Sequence, residues 1–204
     1  AHSLLSSALT AWPEAPAVLL REHYRCHPKI INFCNQKFYG RKLIVMTADH
    51  DEPDVLTMYR TAPGNHARGR LNQREIDVIQ KEVLPHLQEK GYRSIGVITP
   101  YRDQVAALQS QLGGGIEAVT VHKFQGREKD AIVLTSVDNV ITEFVDDPRM
   151  LNVAVSRAVK SLTVVTSQDP RNDQTNYGDL ARYIEYNNCA VVESAVYSIF
   201  SEKE

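Results

Sequence analysis

The sequence predicts an α/β fold, in which helices cover both faces of a mostly parallel β-sheet. Three short runs rich in β-branched residues, at 94–99, 131–137 and 161–166, have the length and apolar character of strands buried on both faces. Amphipathic segments with helical spacing separate these runs, and no alternating hairpin pattern dominates the chain. Buried strands that alternate with helices are typical of a parallel sheet, whose strands are joined by helical crossovers.

The first residues of the chain show no clear hydrophobic periodicity, and the first predicted helix begins at Pro28. Residues 1–17 contain two prolines and are interpreted as a lead-in from a preceding domain, and residues 18–20 (Val-Leu-Leu) predict a short buried strand. Pro28 suits the first turn of a helix, because its missing N–H would be unpaired there in any case. Apolar residues follow at helical spacing up to Phe38, and Gly40 is expected to end the helix.

The later elements are predicted from the spacing of hydrophobic residues and from the glycines and prolines that interrupt helices and strands. A helix over about 73–89 places Ile76, Ile79 and Val83 on one face, and Gly91 suits its C′ position. The remaining predicted elements are, in order, a strand over 55–60, a loop over 62–70, a strand over 94–99, a helix over 101–112, strands over 119–121 and 131–137, a helix over 148–159, a strand over 161–166 and a helix over 179–187. The pattern after that helix is ambiguous.

Composition limits the classes of protein. The 204 residues, 43% hydrophobic and 24% charged, suit one substantial core of a soluble globular domain, and no apolar run of 18 residues predicts a membrane helix. The net charge of −2 argues against a generally basic nucleic-acid binder, so any grip on nucleic acid must come from local loops. The three cysteines are interpreted as reduced thiols in the cytosol. The chain begins with Ala1 rather than Met, which indicates a fragment of a longer protein.

Four motifs carry the chemistry. The central one, Thr-Val-His-Lys-Phe-Gln-Gly-Arg-Glu-Lys-Asp at 120–130, is a polar loop between two predicted strands, and open α/β sheets bind ligands at strand ends. His-Tyr-Arg-Cys-His-Pro at 23–28 and Thr-Pro-Tyr at 99–101 precede it. Leu-Asn-Val-Ala-Val-Ser-Arg-Ala at 151–158 follows it.

This ordered set resembles the second RecA-like motor domain of superfamily 1 helicases of the Upf1-like branch. The resemblance covers roughly residues 18–168 and implies a RecA-like fold of the P-loop-NTPase type. It divides the chain into the lead-in, a helicase domain over 18–170 and a C-terminal extension over 171–204. Departures from the family pattern are small: Cys26 stands where Met is common, and Ser156 where Thr is common.

The resemblance implies a nucleotide site. Arg25 and Arg157 match the arginines that approach the γ-phosphate in the family, where a planar guanidinium stabilises the charge of phosphoryl transfer. Tyr24 matches a tyrosine that packs against adenine. Gly126 leaves the backbone open to close approach, and Glu128 is expected to accept from a ribose hydroxyl. Without the resemblance, each arginine would be read as a surface or salt-bridged residue.

The resemblance also implies a path for a single strand, DNA more than RNA. Thr99, Pro100, Tyr101, Thr120 and His122 match positions that line this path, where hydroxyl and backbone N–H groups would contact phosphates. The alternatives are an N-cap role for Thr99 and plain β-propensity for Thr120. Since the family varies at 122–123, where this chain has His-Lys, the choice between DNA and RNA stays open.

Several other polar residues are weaker candidates. Arg102 and Gln104 follow the Thr-Pro-Tyr motif, and a basic cluster at 60–74 is read as solvated more readily than as a nucleic-acid contact. His23, Cys26 and His27 do not have the spacing of a zinc site, so no metal ligands are assigned. His27 is expected to orient the Tyr-Arg turn by hydrogen bonds. The basic cluster comprises Arg60, Arg68, Arg70 and Arg74.

Missing motifs limit the scope of the activity. The chain has no Gly-x-x-x-x-Gly-Lys-[Ser/Thr] and no apolar strand that ends in Asp-Glu, so it is not expected to hydrolyse ATP by itself. In the family, ATP with Mg²⁺ is held mainly by the first RecA-like domain of the same chain. The predicted function is therefore that of the C-terminal motor domain of a cytoplasmic ATP-dependent helicase. A catalytically degenerate binding module is the alternative, and a nuclease is disfavoured because no Glu-x-Lys occurs in the chain.

Overall fold

The computed structural model describes residues 4–16, 18–62, 64, 66–113, 115–167 and 174–197. Its strands are β1 (Glu22–His23), β2 (Ile44–Val45), β3 (Leu56–Arg60), β4 (Ala67–Arg68), β5 (Leu71–Asn72), β6 (Ile95–Thr99), β7 (Glu117–Thr120), β8 (Lys129–Thr135), β9 (Ala158–Thr166) and β10 (Ala190–Glu193). Its α-helices are α1 (Leu4–Ala11), α2 (Pro28–Phe38), α3 (Gln73–Val78), α4 (Leu84–Glu89), α5 (Arg102–Gln111), α6 (Pro148–Val155) and α7 (Asn176–Tyr186). A π-helical turn, Ile79–Val83, joins α3 to α4, and a 3₁₀ turn, Val121–Phe124, follows β7.

A six-stranded sheet in the order β10–β3–β9–β8–β6–β7 forms the centre of the molecule, and every neighbouring pair in it is parallel. The pairs β1–β2 and β4–β5 are short ribbons outside it. The predicted α/β class with a mostly parallel sheet is confirmed.

Two apolar layers cover the sheet, one on each face. In β8, Ile132 and Leu134 face a layer shared with α2, α6 and α7, whereas Ala131 and Val133 face a layer shared with α3, α4 and α5. Both sets of side chains are almost completely buried. This two-sided burial is the reason that the strands read as continuous apolar runs in the sequence.

Side-chain caps fix where two helices near the motifs begin. His27 precedes α2, and its Nδ1 accepts the backbone N–H of Lys29 at 3.1 Å. Asp147 precedes α6 and accepts two backbone N–H groups of the first turn. Pro28 and Pro148 occupy the first helical positions, where proline lacks only a donor that would be unpaired.

Of two further predicted elements, one is absent and one is shorter than predicted. Residues 18–20 form no strand, and Val18 and Leu20 are 85% and 87% exposed, because the β1–β2 ribbon begins only at Glu22. The helix predicted over 148–159 ends at Val155, because the chain turns there and β9 already begins at Ala158.

The two ends of the chain differ in how they pack. Helix α1, which the sequence pattern does not predict, has no buried residue. In the C-terminal extension, β10 pairs with β3 over four residues and so adds an edge strand to the sheet. The predicted boundaries between the lead-in, the helicase domain and the C-terminal extension fall at or next to residues 17 and 168–173, which lie outside the described residues, as do residues 1–3 and 198–204.

A buried carboxylate lies where β8 and β9 end. Glu75 of α3 is completely buried and accepts hydrogen bonds from the hydroxyl groups of Thr135, Ser136 and Ser167 and from the backbone N–H of Val137. Val137 has φ of +67°, which is unfavourable for a β-branched residue. Glu75 therefore holds a strained turn that leads from β8 towards the loop before α6.

Candidate functional site

The sheet register brings two motifs together. Lys129 of β8 pairs with Ala158 of β9, so that Glu128 and Arg157, the residues immediately before them, leave the sheet side by side. The 23–28 motif lies against the same end of β9, where the backbone N–H of His27 donates to the Val159 carbonyl at 2.7 Å. Three segments that are far apart in sequence therefore meet at the amino ends of β8 and β9.

The two arginines at this end both donate hydrogen bonds to Ser156. Arg25 Nη2 donates to the Ser156 carbonyl at 2.8 Å, and Arg25 Nη1 lies 3.4 Å from Glu128 Oε2. Arg157 donates through Nε to the Val153 carbonyl and through Nη2 to Ser156 Oγ, at 3.1 and 3.0 Å. Burial, followed by the nearby charge of Arg25, lowers the pKa of Arg157. These two cations and one carboxylate form a compact cluster.

One donor of this cluster has no hydrogen-bond partner within the described part of the chain. Arg25 Nε is buried and unpaired there. A buried guanidinium N–H without an acceptor is unusual in a folded protein, which marks Arg25 as a candidate functional residue.

Tyr24 and Gly126 flank the cluster. The Tyr24 ring is 66% exposed and borders a cavity of about 500 Å³, together with Leu20 and Ile44. Gly126 has φ of +81° and nothing within 4 Å of the position that a Cβ would occupy. The cavity therefore offers an exposed aromatic face with apolar neighbours, and the loop at Gly126 is sterically open.

A larger cavity of about 730 Å³ lies at the carboxyl ends of β6 and β7. It is lined by Arg70, Pro100, Tyr101, Arg102, Asp103, Thr120, His122, Lys123 and Phe144. Of the five residues predicted for the strand path, Thr99 does not line it. The Thr99 side chain is fully buried, and its Oγ1 accepts the backbone N–H of Tyr101 at 3.5 Å.

The cluster of Arg25, Glu128 and Arg157 lies at the amino ends of the strands, whereas the larger cavity lies at their carboxyl ends. From the sequence alone, the whole 120–130 motif is expected at one strand end. Thr120 ends β7 beside Thr99, whereas Lys129 begins β8 near the start of β6. Because β7 and β8 both run parallel to β6, the loop between them must travel back along the full length of that strand. Phe124, completely buried, anchors the loop on Gly96 at the middle of the crossing.

The histidines of the first motif have separate roles. His23 Nε2 accepts the backbone N–H of Cys26 and so closes the Tyr-Arg turn, a role that the sequence assigned to His27. Burial, and then the charges of Arg25 and Arg157, lower the pKa of His23. His27 instead caps α2 through Nδ1.

His27 also faces two acids. Its Nε2 lies 3.4 Å from Asp49 and 3.2 Å from Glu52, and the ligand atoms of all three residues lie within 4.8 Å of one another. These residues could together hold a metal ion. With Nδ1 accepting from Lys29, however, Nε2 carries the proton of the neutral ring and donates to the acids, so it has no lone pair for a metal in this tautomer.

Sequence reasoning missed Phe144 and Lys123 and undervalued Arg70. All three line the larger cavity, and Phe144 is 53% exposed. A phenylalanine in a polar loop before α6 was the one available signal. Its position against Tyr101 depends on how that loop folds over the end of β6.

Comparisons with known proteins identify the family. A family model described as an AAA domain matches residues 1–169, and the chain belongs to this family. A protein of Arabidopsis thaliana named regulator of nonsense transcripts 1 homolog is 34% identical over 204 aligned positions, which cover 85% of this chain and 16% of that protein. The Mus musculus protein named 5′-3′ DNA helicase ZGRF1 is 28% identical over 187 positions, covering 82% of this chain and 10% of that protein. Other relatives are named ATP-dependent helicases.

These relatives identify the chain more closely as a C-terminal motor domain of the superfamily 1 helicases, Upf1-like branch. The C-terminal domain of a possible DNA helicase from Lactobacillus plantarum WCFS1 has the same fold, with a TM-score of 0.52 and 16% identity over 83% of this chain and 98% of that one. The chain spans between 10% and 31% of the length of the first four curated relatives. Within the described residues, every helix is too short or too polar to cross a membrane.

Proposed function

We propose that the intact protein is an ATP-dependent helicase in which Arg25 and Arg157 act as arginine fingers on the γ-phosphate. The observation that carries the proposal is the convergence of both guanidinium groups beside Glu128 at the amino ends of β8 and β9. Phosphoryl transfer needs placed positive charge, and a finger contributes roughly 10³ to 10⁵ in rate in other nucleotide hydrolases.

The two arginines are held differently, which suggests different parts in closure around ATP. Arg157 has a fixed orientation because Val153 and Ser156 accept its N–H groups. Arg25 is held by the Ser156 carbonyl and by a longer ion pair to the exposed Glu128 carboxylate, and such an ion pair contributes about 1 kcal/mol or less. A phosphate oxygen can therefore replace Glu128 as the partner of Arg25 Nη1.

Glu128, once released by Arg25, is free to accept from a ribose hydroxyl, and the exposed face of Tyr24 can stack on adenine. Gly126 lets the nucleotide approach the loop. Since the chain has no phosphate cradle of its own, ATP and Mg²⁺ would be held mainly by the first RecA-like domain of the intact protein.

The larger cavity is proposed to bind single-stranded nucleic acid. Hydroxyl, imidazole and cationic groups from Thr120, His122 and Lys123 line it, as a phosphate-binding path requires. One loop carries these groups and also Glu128, so a shift of that loop on hydrolysis would move the strand contacts. We favour DNA over RNA, with the 5′-3′ DNA helicase among the relatives as support, and a reducing, cytoplasmic location because all three cysteines are free.

The finger role is tested in the intact protein by Arg157→Ala. We expect ATP turnover to fall by roughly 10³-fold or more, with single-strand affinity unchanged. Because Arg157 also bonds Val153 and Ser156, Arg25→Ala serves as a second variant, which loses a different set of contacts, those to the Ser156 carbonyl and to Glu128. Arg182→Ala, an exposed arginine on α7, is the matched control for loss of one charge. Thermal unfolding and ATP affinity are measured for every variant.

Turnover within a few-fold of wild type in both Arg25→Ala and Arg157→Ala would refute the finger role. Wild-type protein that binds a strand without hydrolysing ATP would support the alternative, a catalytically degenerate RecA-like binding module.

A further inference from the structure

Two aromatic rings stack at the wall of the larger cavity. The centroids of Tyr101 and Phe144 are 5.5 Å apart, and their planes differ by 22°. Tyr101 is partly buried, whereas Phe144 remains 53% exposed. One ring of the pair is thus supported by the fold while the outer ring has a face in water, and covering that face would be favourable.

The inner ring is held in place before any ligand arrives. Tyr101 OH donates to Asp138 Oδ2 at 2.8 Å, and Thr142 Oγ1 donates to the same oxygen at 2.9 Å. Asp138 follows Val137, whose left-handed backbone is fixed by the buried carboxylate of Glu75. A strained turn that the core stabilises therefore sets the position of Tyr101.

Three cationic side chains and one acidic side chain line the cavity beside the stacked pair. The guanidinium carbon of Arg70 lies 5.9 Å from the centroid of the Tyr101 ring, within the range of a cation–π contact. Arg102 and Lys123 also line the cavity. Aromatic faces combined with cations are the chemistry that binds single strands without reading their sequence, because every base has a π-face and every nucleotide a phosphate.

We propose that Tyr101 and Phe144 form a platform on which one base of the bound single strand stacks against Phe144. This inference rests on the proposed strand-binding function of the same cavity and adds the mode of recognition, which is base stacking without sequence readout. The neighbouring phosphates lie towards Arg70 and Lys123.

The test compares two fluorescent oligonucleotides of equal length, oligo(dT) and a fully abasic strand, binding to the full chain without nucleotide. Phe144→Ala should weaken oligo(dT) binding about tenfold or more and leave the abasic strand unaffected, because stacking requires a base. Phe144→Tyr, which keeps the ring, should restore the affinity. Lys123→Ala is the matched control, since it should weaken both strands alike and reduce the salt slope of log K by about 1.

A direct readout of stacking comes from 2-aminopurine placed within the strand. Its fluorescence should be quenched on binding to wild type and to Phe144→Tyr, and quenched less by Phe144→Ala. Equal binding of oligo(dT) by wild type and Phe144→Ala, or an equal loss for both strands, would overturn the platform while leaving the strand site in place. A wild-type chain that binds neither strand at low salt would overturn both.

Discussion

The buried carboxylate of Glu75 should make the stability of this domain depend on pH between about 4.5 and 7. Burial is the main cause of its shift and raises the pKa from 4.5 to about 7, against the opposing effect of the donors around it. Thr135, Ser136, Ser167 and the backbone N–H of Val137 supply those donors. The folded state thus retains a proton at a pH where the unfolded chain has lost it.

The sign and size of the effect follow from this difference. At 1.36 kcal/mol per pKa unit, the shift of Glu75 corresponds to about 3 kcal/mol. A raised carboxyl pKa stabilises the folded state fully below pH 4.5, and this stabilisation is lost as the pH rises through about 7. Since the Val137 turn presents Asp138 to Tyr101, ionisation of Glu75 also acts on the residues beneath the stacked pair.

The assay is urea unfolding, followed by circular dichroism, of wild type and Glu75→Gln from pH 5 to pH 8. Glutamine removes the titration but keeps one acceptor oxygen, so its hydrogen-bonding cost is a constant offset. The difference in free energy of unfolding between the two proteins should change by about 2.5 kcal/mol across the range, in the direction that penalises wild type at high pH. His23, whose lowered pKa acts with the opposite sign in an overlapping range, is present in both proteins and cancels.

Glu89→Gln, at an exposed glutamate of α4, is the matched control and should follow wild type at every pH. If Glu75→Gln instead shows the same pH dependence as wild type, the proton is not held at Glu75 and another group controls the pH dependence.

Two further predictions concern elements that position the site. Gly96→Ala would bring a Cβ within 3.0 Å of the buried Phe124 ring and should destabilise the domain by about 1–3 kcal/mol in urea unfolding, whereas Gly113→Ala, with nothing within 4 Å, should be tolerated. Equal midpoints for the two variants would show that the Phe124 loop yields freely. Asp147→Ala removes the cap of α6 and should lose about 1 kcal/mol, most of which Asp147→Asn should recover; no loss in the alanine variant would mean that the cap contributes nothing.

Local patterns were enough to predict most elements of the sheet. The run at 94–99 is apolar because β6 is covered on both faces, and the spacing of Ile76, Ile79 and Val83 follows the covered side of one helix. Residues 18–20 have the same apolar character, yet they stay in water. Hydrophobicity identifies a segment that can form a strand, but a strand also needs a neighbour with which to pair.

For the site, the chemical groups can be read from the sequence: two arginines in separate motifs, a carboxylate after Gly126, and a threonine at each of two strand ends. That Glu128 and Arg157 leave the sheet side by side depends on the fold, through the pairing of Lys129 with Ala158. The fold also places the larger cavity at the carboxyl ends of the β-strands, opposite this cluster. The physical reason is that periodicity and motif spacing are local properties of the chain, whereas strand order and register depend on contacts between segments far apart in sequence.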